Sequence, residues 1–345
     1  MAYIELQYLG RVWRMGGPVG PLPVQPKRPI GEVSADFRGS LTALGTSLIR
    51  AAHSRLDPHP LIDDRWGDRL VPESVRAAYR ELAAAKFGEG ARTGAMGGAD
   101  AVIDEYLASS RGYSNVIMRT RYTEDALRDA IAHGIRQYVI IGAGFDSFAL
   151  RSPAFANGVP VFEIDQLSTQ ALKRQRIAEC GVSMPASLHL ICADLAEDDL
   201  GEVLSSTPYD AGRPAFFSWL GVTMFLTRQA NLETLRAIAR IATPGSELVF
   251  TYLDERIFAA NSESFRRMQA ANRASGEPFQ SGFDPDRLGE LLRGVGLELL
   301  VDLSDAQLAE RLACRRANFM MPLEFSRIAQ ARSRSILSQL LRIEP

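Results

Sequence analysis

The sequence predicts an α/β protein in which a doubly wound, mostly parallel sheet is joined to a helical cap. Three observations predict this fold class. Short apolar runs of strand type alternate with helical stretches between residues 137 and 254, a pattern typical of right-handed βαβ units. A glycine-rich turn follows the first of these runs, and a long region of helical periodicity precedes it. The ligand crevice of such a sheet lies beyond the carboxyl ends of its strands.

The region before the sheet divides into a leader and a helical part. The segment 15–31 carries five prolines, so we predict that residues 1–35 form a flexible, extended or disordered leader. The following apolar spacing is helical, and we assign residues 36–118 to an N-terminal helical cap. A further helix is predicted at about 119–133.

The sheet is predicted from five apolar runs and two later ones. Parallel strands are expected in QYVIIG, VPVFEID, SLHLICAD, PAFFSWLG and SELVFTYLD, and terminal strands in GLELLVDLSD and RRANFMMPLEF. Helices are expected at 145–151, 165–180, 227–242, 255–274 and 284–294. We assign residues 119–345 to the ligand-binding core, with a cap insert at about 254–282.

Composition and charge argue against several classes of function. The net charge of −2 at pH 7 is unlike that of a nucleic-acid binder. The three cysteines lie far apart and the four histidines share no metal-ligand spacing, so we expect neither a disulfide framework nor a metal site. No apolar run approaches the ~18 residues that span a bilayer, and the N-terminus lacks a secretory pattern. We therefore expect a cytoplasmic protein that binds neither nucleic acid nor membrane.

The glycine-rich turn begins like a dinucleotide-binding turn and ends differently. Gly142 and Gly144 allow a sharp bend and a close approach of a ligand. Ser147 stands where a third glycine is expected, and Asp146 stands at the start of the following helix. A carboxylate at that position would repel a diphosphate. The turn therefore favours a cofactor with a cationic portion, or a neutral ribose, over a nicotinamide dinucleotide.

Polar residues also end the next two strands. Asp165 closes the second strand, where an acidic residue can accept hydrogen bonds from both ribose hydroxyls of an adenosine. Asp194 and Leu195 close the third strand, where an acceptor beside an apolar contact can bind adenine. Leu220 lies at the end of the fourth strand, on the same edge of the sheet. Together these strand ends predict an adenosine site.

Five segments resemble those of one enzyme family. They are RTRYTEDAL, IIGAGFDSFALR, VFEIDQ, ADL and WLGVTMFLT. In this order and spacing they resemble the leucine carboxyl methyltransferase family of S-adenosylmethionine-dependent enzymes, which includes bacterial and polyketide-type O-methyltransferases. The likeness covers roughly residues 45–320. It implies a seven-stranded, Rossmann-like class I methyltransferase sheet with a helical cap, and S-adenosyl-L-methionine as the cofactor.

The resemblance also implies roles for single residues. Arg119 would bind the carboxylate of the methionine portion of the cofactor, and Arg121 is the alternative if the helix register differs. The other implied cofactor contacts are Gly142, Gly144, Asp165, Asp194, Leu195 and Leu220. Many family members have a Glu-Gly pair at the end of the fourth strand, where this chain has Leu220-Gly221. The cofactor's amino group would then need a backbone carbonyl or Glu163.

The expected reaction is O-methyl transfer to a carboxylate or hydroxyl of a small, hydrophobic metabolite, as in secondary metabolism. An ionised carboxylate needs no general base, whereas a phenol benefits from one. The catalytic residues stay unassigned, because each candidate base is equally explained as structural: Tyr113, Tyr252, Asp254 and His133. Some apolar residues of the insert either line an acceptor pocket or bury the cap on the sheet: Phe258, Phe265, Met268 and Phe279.

Two alternatives remain open at this level. A NAD(P)-dependent oxidoreductase would have the same order of features: a strand, a glycine-rich turn, and an acidic residue at the end of the next strand. A non-catalytic S-adenosylmethionine-binding protein would keep the adenosine site without turnover. The oligomeric state is open between a monomer and a homodimer.

Overall fold

The computed structural model describes residues 40–88, 100–260, 262–274, 276–313 and 322–334. The predicted leader lies outside these residues, as does most of the segment RRANFMMPLEF. No helix in the described ranges is long and apolar enough to cross a membrane. The same ranges contain no cluster of potential metal ligands.

Seven strands form one sheet, in the order β3-β2-β1-β4-β5-β7-β6. They are β1 Tyr138–Ile141, β2 Val161–Asp165, β3 Leu188–Cys192, β4 Phe216–Trp219, β5 Glu247–Leu253, β6 Leu297–Ser304 and β7 Ser326–Ser333. The first five strands pair in parallel, and β7 is antiparallel to both β5 and β6. The predicted fold class is confirmed.

Eleven α-helices occur in the described ranges. They are α1 Leu41–Leu56, α2 Glu73–Phe87, α3 Ala101–Ala108, α4 Gly112–Ala132, α5 Phe148–Arg151, α6 Leu167–Glu179, α7 Leu200–Ser205, α8 Arg228–Ile241, α9 Glu263–Ala274, α10 Pro285–Gly294 and α11 Asp305–Ala313. Local capping sets several starts. Thr227 accepts a hydrogen bond from the Ala230 amide at the start of α8, at 3.1 Å.

Helices cover both faces of the sheet, as the contacts of β1 show. Successive side chains of β1 point to opposite faces. Val139 and Ile141 belong to an apolar cluster with residues of α7, α8 and α10. Tyr138 and Ile140 belong to a second cluster, with residues of α4, α5 and α11. Four residues of β1 are buried without interruption, which explains why this strand is continuously apolar in sequence.

The helices before the sheet form a third apolar cluster. Leu44, Leu48 and Ile49 of α1 are buried there, together with residues of α2, α3 and the first turns of α4. Phe145, from the turn after β1, belongs to the same cluster. The cap therefore packs directly on the glycine-rich turn.

Several predicted boundaries differ from the structure. The helix predicted at 119–133 begins at Gly112, so the division placed between 118 and 119 falls inside one helix, α4. The helix predicted at 255–274 is a 3-10 turn, Glu255–Phe258, followed by α9. The last strand lies at Ser326–Ser333, after the segment predicted for it. The assignment of the chain to leader, cap and core stays a prediction.

Candidate functional site

A cavity of 360 Å3 lies at the carboxyl ends of the parallel strands. It sits beside β1 and β4, where the order of strands reverses and open α/β sheets bind their ligands. All seven residues that the sequence singled out line it: Arg119, Gly142, Gly144, Asp165, Asp194, Leu195 and Leu220. The structure thus brings them together, and their contacts with a cofactor stay a prediction.

The glycine turn is tightly packed at both glycines. Gly142 and Gly144 have φ angles of 65° and 53°, in the left-handed region. A Cβ at Gly142 would lie 2.3 Å from Cγ2 of Val222, and one at Gly144 would lie 2.8 Å from Cβ of Ala43 in α1. Both positions therefore require glycine for space as well as for backbone conformation.

Asp165 fixes this turn from the end of β2. One carboxylate oxygen accepts a hydrogen bond from the Gly144 amide at 2.7 Å, and the other accepts one from the Gln166 amide at 2.8 Å. Burial raises the pKa of Asp165, although both hydrogen bonds lower it. The residue is half-buried rather than a simple exposed acid. The Thr169 hydroxyl also donates to this carboxylate, whose two oxygens together have about four acceptor sites, so one remains for a ligand hydroxyl.

Asp194 and Leu195 lie side by side at the end of β3. Asp194 accepts a hydrogen bond from the Ala196 amide at 3.0 Å, which holds its carboxylate at the cavity wall. Both residues are half-exposed, so a ligand can reach the oxygen and the apolar side chain together.

Arg119 is a buried cation that faces the cavity. Its side chain belongs to α4, and the residue is only 8% exposed. Its Nη1 donates to Oδ1 of Asn115 at 3.3 Å, and no ion pair with a carboxylate of the described residues balances its charge. The guanidinium lies so close to Gly221 that a Cβ there would be 2.7 Å from Nη2. Buried charges normally have partners, so this arrangement indicates an anionic ligand.

Arg121, the alternative to Arg119, lies elsewhere. It pairs with Asp125 at 2.7 Å and donates to the carbonyl of Leu61 at 3.1 Å. It is not among the residues that line the cavity. The helix register therefore directs Arg119, and not Arg121, to the strand ends.

Glu163 does not replace the missing glutamate of the fourth strand. It is 1% exposed and forms a buried ion pair with Lys173 of α6. Neither residue lines the cavity. The polar group beside Leu220 in the cavity wall is instead Ser218, whose hydroxyl is 2.9 Å from that of Tyr138.

Ser147 has a structural partner that sequence reasoning missed. Its hydroxyl donates to Oδ2 of Asp64 at 2.6 Å. The Asp64 carboxylate, fully buried, also accepts from Arg50 at 2.8 Å and from the amides of Trp66 and Gly67. Burial alone would raise the pKa of Asp64, but the neighbouring arginines and Ser147 hold it below the usual range. The residue in place of the third glycine thus joins the turn to the cap.

The outer wall of the cavity is more polar than predicted. Thr42 and Thr46 of α1 line it, together with Glu277 and Gln280 of the insert. The Thr42 hydroxyl donates to a carboxylate oxygen of Glu277, which connects the cap to the insert.

Neither the apolar residues considered for an acceptor pocket nor the residues considered as general bases line the cavity. Phe265, Met268 and Phe279 pack in an apolar cluster of their own, and Phe258 is 39% exposed. The four residues considered as general bases are absent from the lining too: Tyr113, Tyr252, Asp254 and His133. Tyr252, for example, donates to Asp302 at 2.9 Å. Phe265, Met268 and Phe279 therefore pack the insert against Met224, Leu253 and Phe325 near the ends of the strands.

Solved structures with this fold include two bacterial proteins. A structure described as a "putative methyltransferase" from Thermobifida fusca YX aligns with a TM-score of 0.53 at 15% identity, over 90% of this chain and 100% of that one. A DUF574 family protein from Streptomyces avermitilis aligns with a TM-score of 0.52 at 16% identity, over 86% and 99% of the two chains. At these identities the likeness shows the fold alone.

Sequence comparison identifies the family. A relative from Bacillus subtilis (strain 168), named "Putative S-adenosyl-L-methionine-dependent methyltransferase YktD", is 30% identical over 269 residues, which is 77% of this chain and 88% of that protein. A similarly named relative from Mycolicibacterium smegmatis is 28% identical over 292 residues, 84% and 91% of the two chains. The family model described as leucine carboxyl methyltransferase matches residues 43–239. The resemblance is confirmed, and the chain belongs to the leucine carboxyl methyltransferase family.

Proposed function

We propose that this S-adenosyl-L-methionine-dependent methyltransferase transfers the methyl group to an oxygen atom of a small-molecule acceptor. The observation that carries the proposal is Arg119, a buried guanidinium that faces the cavity without an ion pair among the described residues. A bidentate guanidinium is well matched to the free carboxylate of an amino acid. S-adenosyl-L-methionine has such a carboxylate, and its positively charged sulfur supplies an activated methyl group.

The other strand-end residues fit the rest of the cofactor. Asp165 can accept hydrogen bonds from ribose hydroxyls while it continues to hold Gly144. Asp194 and Leu195 offer an acceptor and an apolar surface to adenine. Asp146 also faces the cavity. Its negative charge suits a cationic cofactor and opposes the diphosphate that a nicotinamide dinucleotide would bring.

The protein's own task in such a reaction is alignment. An activated leaving group needs no metal or nucleophilic residue, so the cavity must hold the acceptor oxygen in line with the methyl group and exclude water. The contact between Thr42 and Glu277 closes part of the outer wall. A cavity of 360 Å3 is at the lower end of the ~300–1,000 Å3 that encloses one drug-sized ligand. The cofactor is itself a ligand of that size class, so the cavity volume fits the cofactor.

The charges of the wall favour a hydroxyl acceptor over a carboxylate. Arg50 and Arg119 are the arginines among the described lining residues. Arg50 is held by Asp64 and by the carbonyl of Phe145 at 2.7 Å. Once Arg119 binds the cofactor tail, the described part of the wall has no further cation for an anionic acceptor. Glu277, in contrast, can accept a hydrogen bond from a neutral hydroxyl.

The cofactor contact can be tested by calorimetry with S-adenosylhomocysteine. Arg119→Ala should weaken its binding by about 1.5–3 kcal/mol, because a charge-assisted hydrogen-bond pair is lost, which is roughly 10- to 150-fold in Kd. Arg121→Ala removes an arginine of the same helix that lies outside the cavity, and should leave the affinity within about twofold. Equal losses in the two variants would overturn the proposal.

A further inference from the structure

Arg119 is held by a relay of buried polar side chains that reaches the last strand of the sheet. Asn115, one helical turn before Arg119 in α4, accepts the hydrogen bond from the arginine through Oδ1. Its Nδ2 donates to Oδ1 of Asp305 at 2.9 Å and to Oγ of Ser326 at 2.8 Å. Because an amide nitrogen only donates and an amide oxygen only accepts, these partners fix the orientation of the Asn115 side chain.

Asp305 is itself firmly held. It is the first residue of α11 and is 2% exposed. Its second carboxylate oxygen accepts a hydrogen bond from the Leu323 amide at 2.7 Å. Burial raises the pKa of Asp305, while the Leu323 amide, Asn115 and the positive charge of Arg119 oppose that rise. The acid thus lies close enough to attract the arginine without forming a direct ion pair with it.

The amide between the two charges has a consequence for the guanidinium. A direct carboxylate partner would occupy the donors of Arg119 and compete with a ligand carboxylate. With Asn115 interposed, a hydrogen bond of 3.3 Å orients the guanidinium, which lies against Gly221 in the cavity wall. Asp305 attracts the guanidinium from a distance, without a direct contact that a ligand carboxylate would have to displace.

We propose that Asn115 and Asp305 are positioning residues, which orient Arg119 toward the carboxylate of the cofactor's amino-acid tail. This inference rests on the proposed function of the cavity and goes beyond it, since it assigns a role in tail binding to the C-terminal part of the chain. Asp305 lies outside the residues 43–239 that match the family model.

The test compares two ligands that differ in the tail. S-adenosylhomocysteine carries the amino-acid tail, and 5′-methylthioadenosine lacks it. Asn115→Ala removes the hydrogen bond that orients Arg119, and Asp305→Asn removes the negative charge that attracts it. Each variant should weaken the binding of S-adenosylhomocysteine about tenfold. Both variants should bind 5′-methylthioadenosine within about twofold of the wild type. In an Arg119→Ala background, Asn115→Ala should cause no further loss, because the residues act as one unit.

Tyr122→Phe is the matched control. Like Asn115, Tyr122 of α4 makes a hydrogen bond to β7, in this case to Gln330 at 2.8 Å, and it does not line the cavity. Loss of the Tyr122 hydroxyl should lower the stability of the protein. It should not change the ratio of the affinities for S-adenosylhomocysteine and 5′-methylthioadenosine.

The affinities for the two ligands distinguish a positioning role from a general structural role. Equal losses for both ligands would show a general structural role and overturn the inference, as would unchanged affinity for S-adenosylhomocysteine in whichever of the two variants folds. If the wild type binds S-adenosylhomocysteine no more tightly than 5′-methylthioadenosine, and Arg119→Ala changes neither affinity, the role of Arg119 itself is wrong. That result differs from a failure confined to Asn115 and Asp305.

Discussion

Replacement of Ser147 tests why this glycine turn lacks its third glycine. The φ angle of Ser147 is −117°, so the backbone does not require glycine there. Its hydroxyl donates to the buried carboxylate of Asp64 at 2.6 Å and accepts from Nε of Arg151 at 3.0 Å. We expect Ser147→Ala to destabilise the protein, and Ser147→Gly, which restores the dinucleotide pattern, to destabilise it further.

The magnitude follows from what remains around Asp64. A hydrogen bond to a charged group contributes about 1.5–3 kcal/mol. Asp64 keeps Arg50 and two backbone amides, so its charge is not left unpaired. We therefore expect Ser147→Ala to lower the free energy of unfolding by about 2 kcal/mol. Glycine adds about 0.4–1 kcal/mol through the entropy of the unfolded chain.

Urea unfolding at neutral pH measures these differences, with tryptophan fluorescence as the signal and equal m-values as the condition for comparison. Ser205→Ala is the control, since the Ser205 hydroxyl is exposed and bonds only to its own helix at the carbonyl of Glu202. It should stay within about 0.5 kcal/mol of the wild type. A Ser147→Ala protein as stable as the Ser205→Ala protein would refute the reasoning.

Two further predictions concern binding and chemistry. Burial raises the pKa of Asp165 despite hydrogen bonds from Gly144 and Gln166. A protonated carboxyl group binds ribose hydroxyls less well, so affinity for S-adenosylhomocysteine should fall as pH is lowered, with a midpoint above the ordinary aspartate value of about 3.9. Calorimetry over a pH series measures this, and the same pH profile in Asp165→Asn would contradict it. Methyl-labelled product formed from a bacterial small-molecule extract should resist alkali, as a methyl ether does. Release of volatile methanol would show a methyl ester, and would contradict the argument from Arg50 and Glu277.

The grouping of the strand-end residues around one cavity could be predicted because its signals are local. Gly142, Asp165 and Asp194 each follow an apolar run, and parallel strands deliver their carboxyl ends to one edge of the sheet. A residue that directly follows one of these strands in the sequence must therefore lie at that edge. The register of α4 completes the prediction, since it decides between Arg119 and Arg121.

The contacts that join the cap to the glycine turn and to the insert could not be predicted, because they connect distant parts of the chain. Asp64 and Ser147 are 83 residues apart, and Thr42 and Glu277 are 235 apart. No periodicity or motif connects such pairs. The role of Glu163 could not be predicted either, because only the fold shows that Glu163 forms an ion pair with Lys173 of α6.

The strand at Ser326–Ser333 was not predicted, because its composition is atypical. The sequence SRIAQARS of β7 contains few large apolar residues, although β7 lies between β5 and β6. Ala329 and Ala331 are fully buried, and small side chains suffice there. The polar ones find partners on neighbouring strands: Arg332 pairs with Glu247 at 2.8 Å. A bulkier apolar run nearby, RRANFMMPLEF, was therefore the stronger signal for a strand.

The link between Asp64 and Ser147 limits how this enzyme can be re-engineered. A chimera that received the first helices of a relative with another acceptor would lose the aspartate unless the donor also supplied it. The Ser147 hydroxyl would then lose its buried acceptor, although Arg151 would keep its ion pair with Glu124. A graft of the N-terminal helices should therefore give a folded protein when Asp64 and Ser147 are transferred together. It should fail when only one of the two residues is transferred.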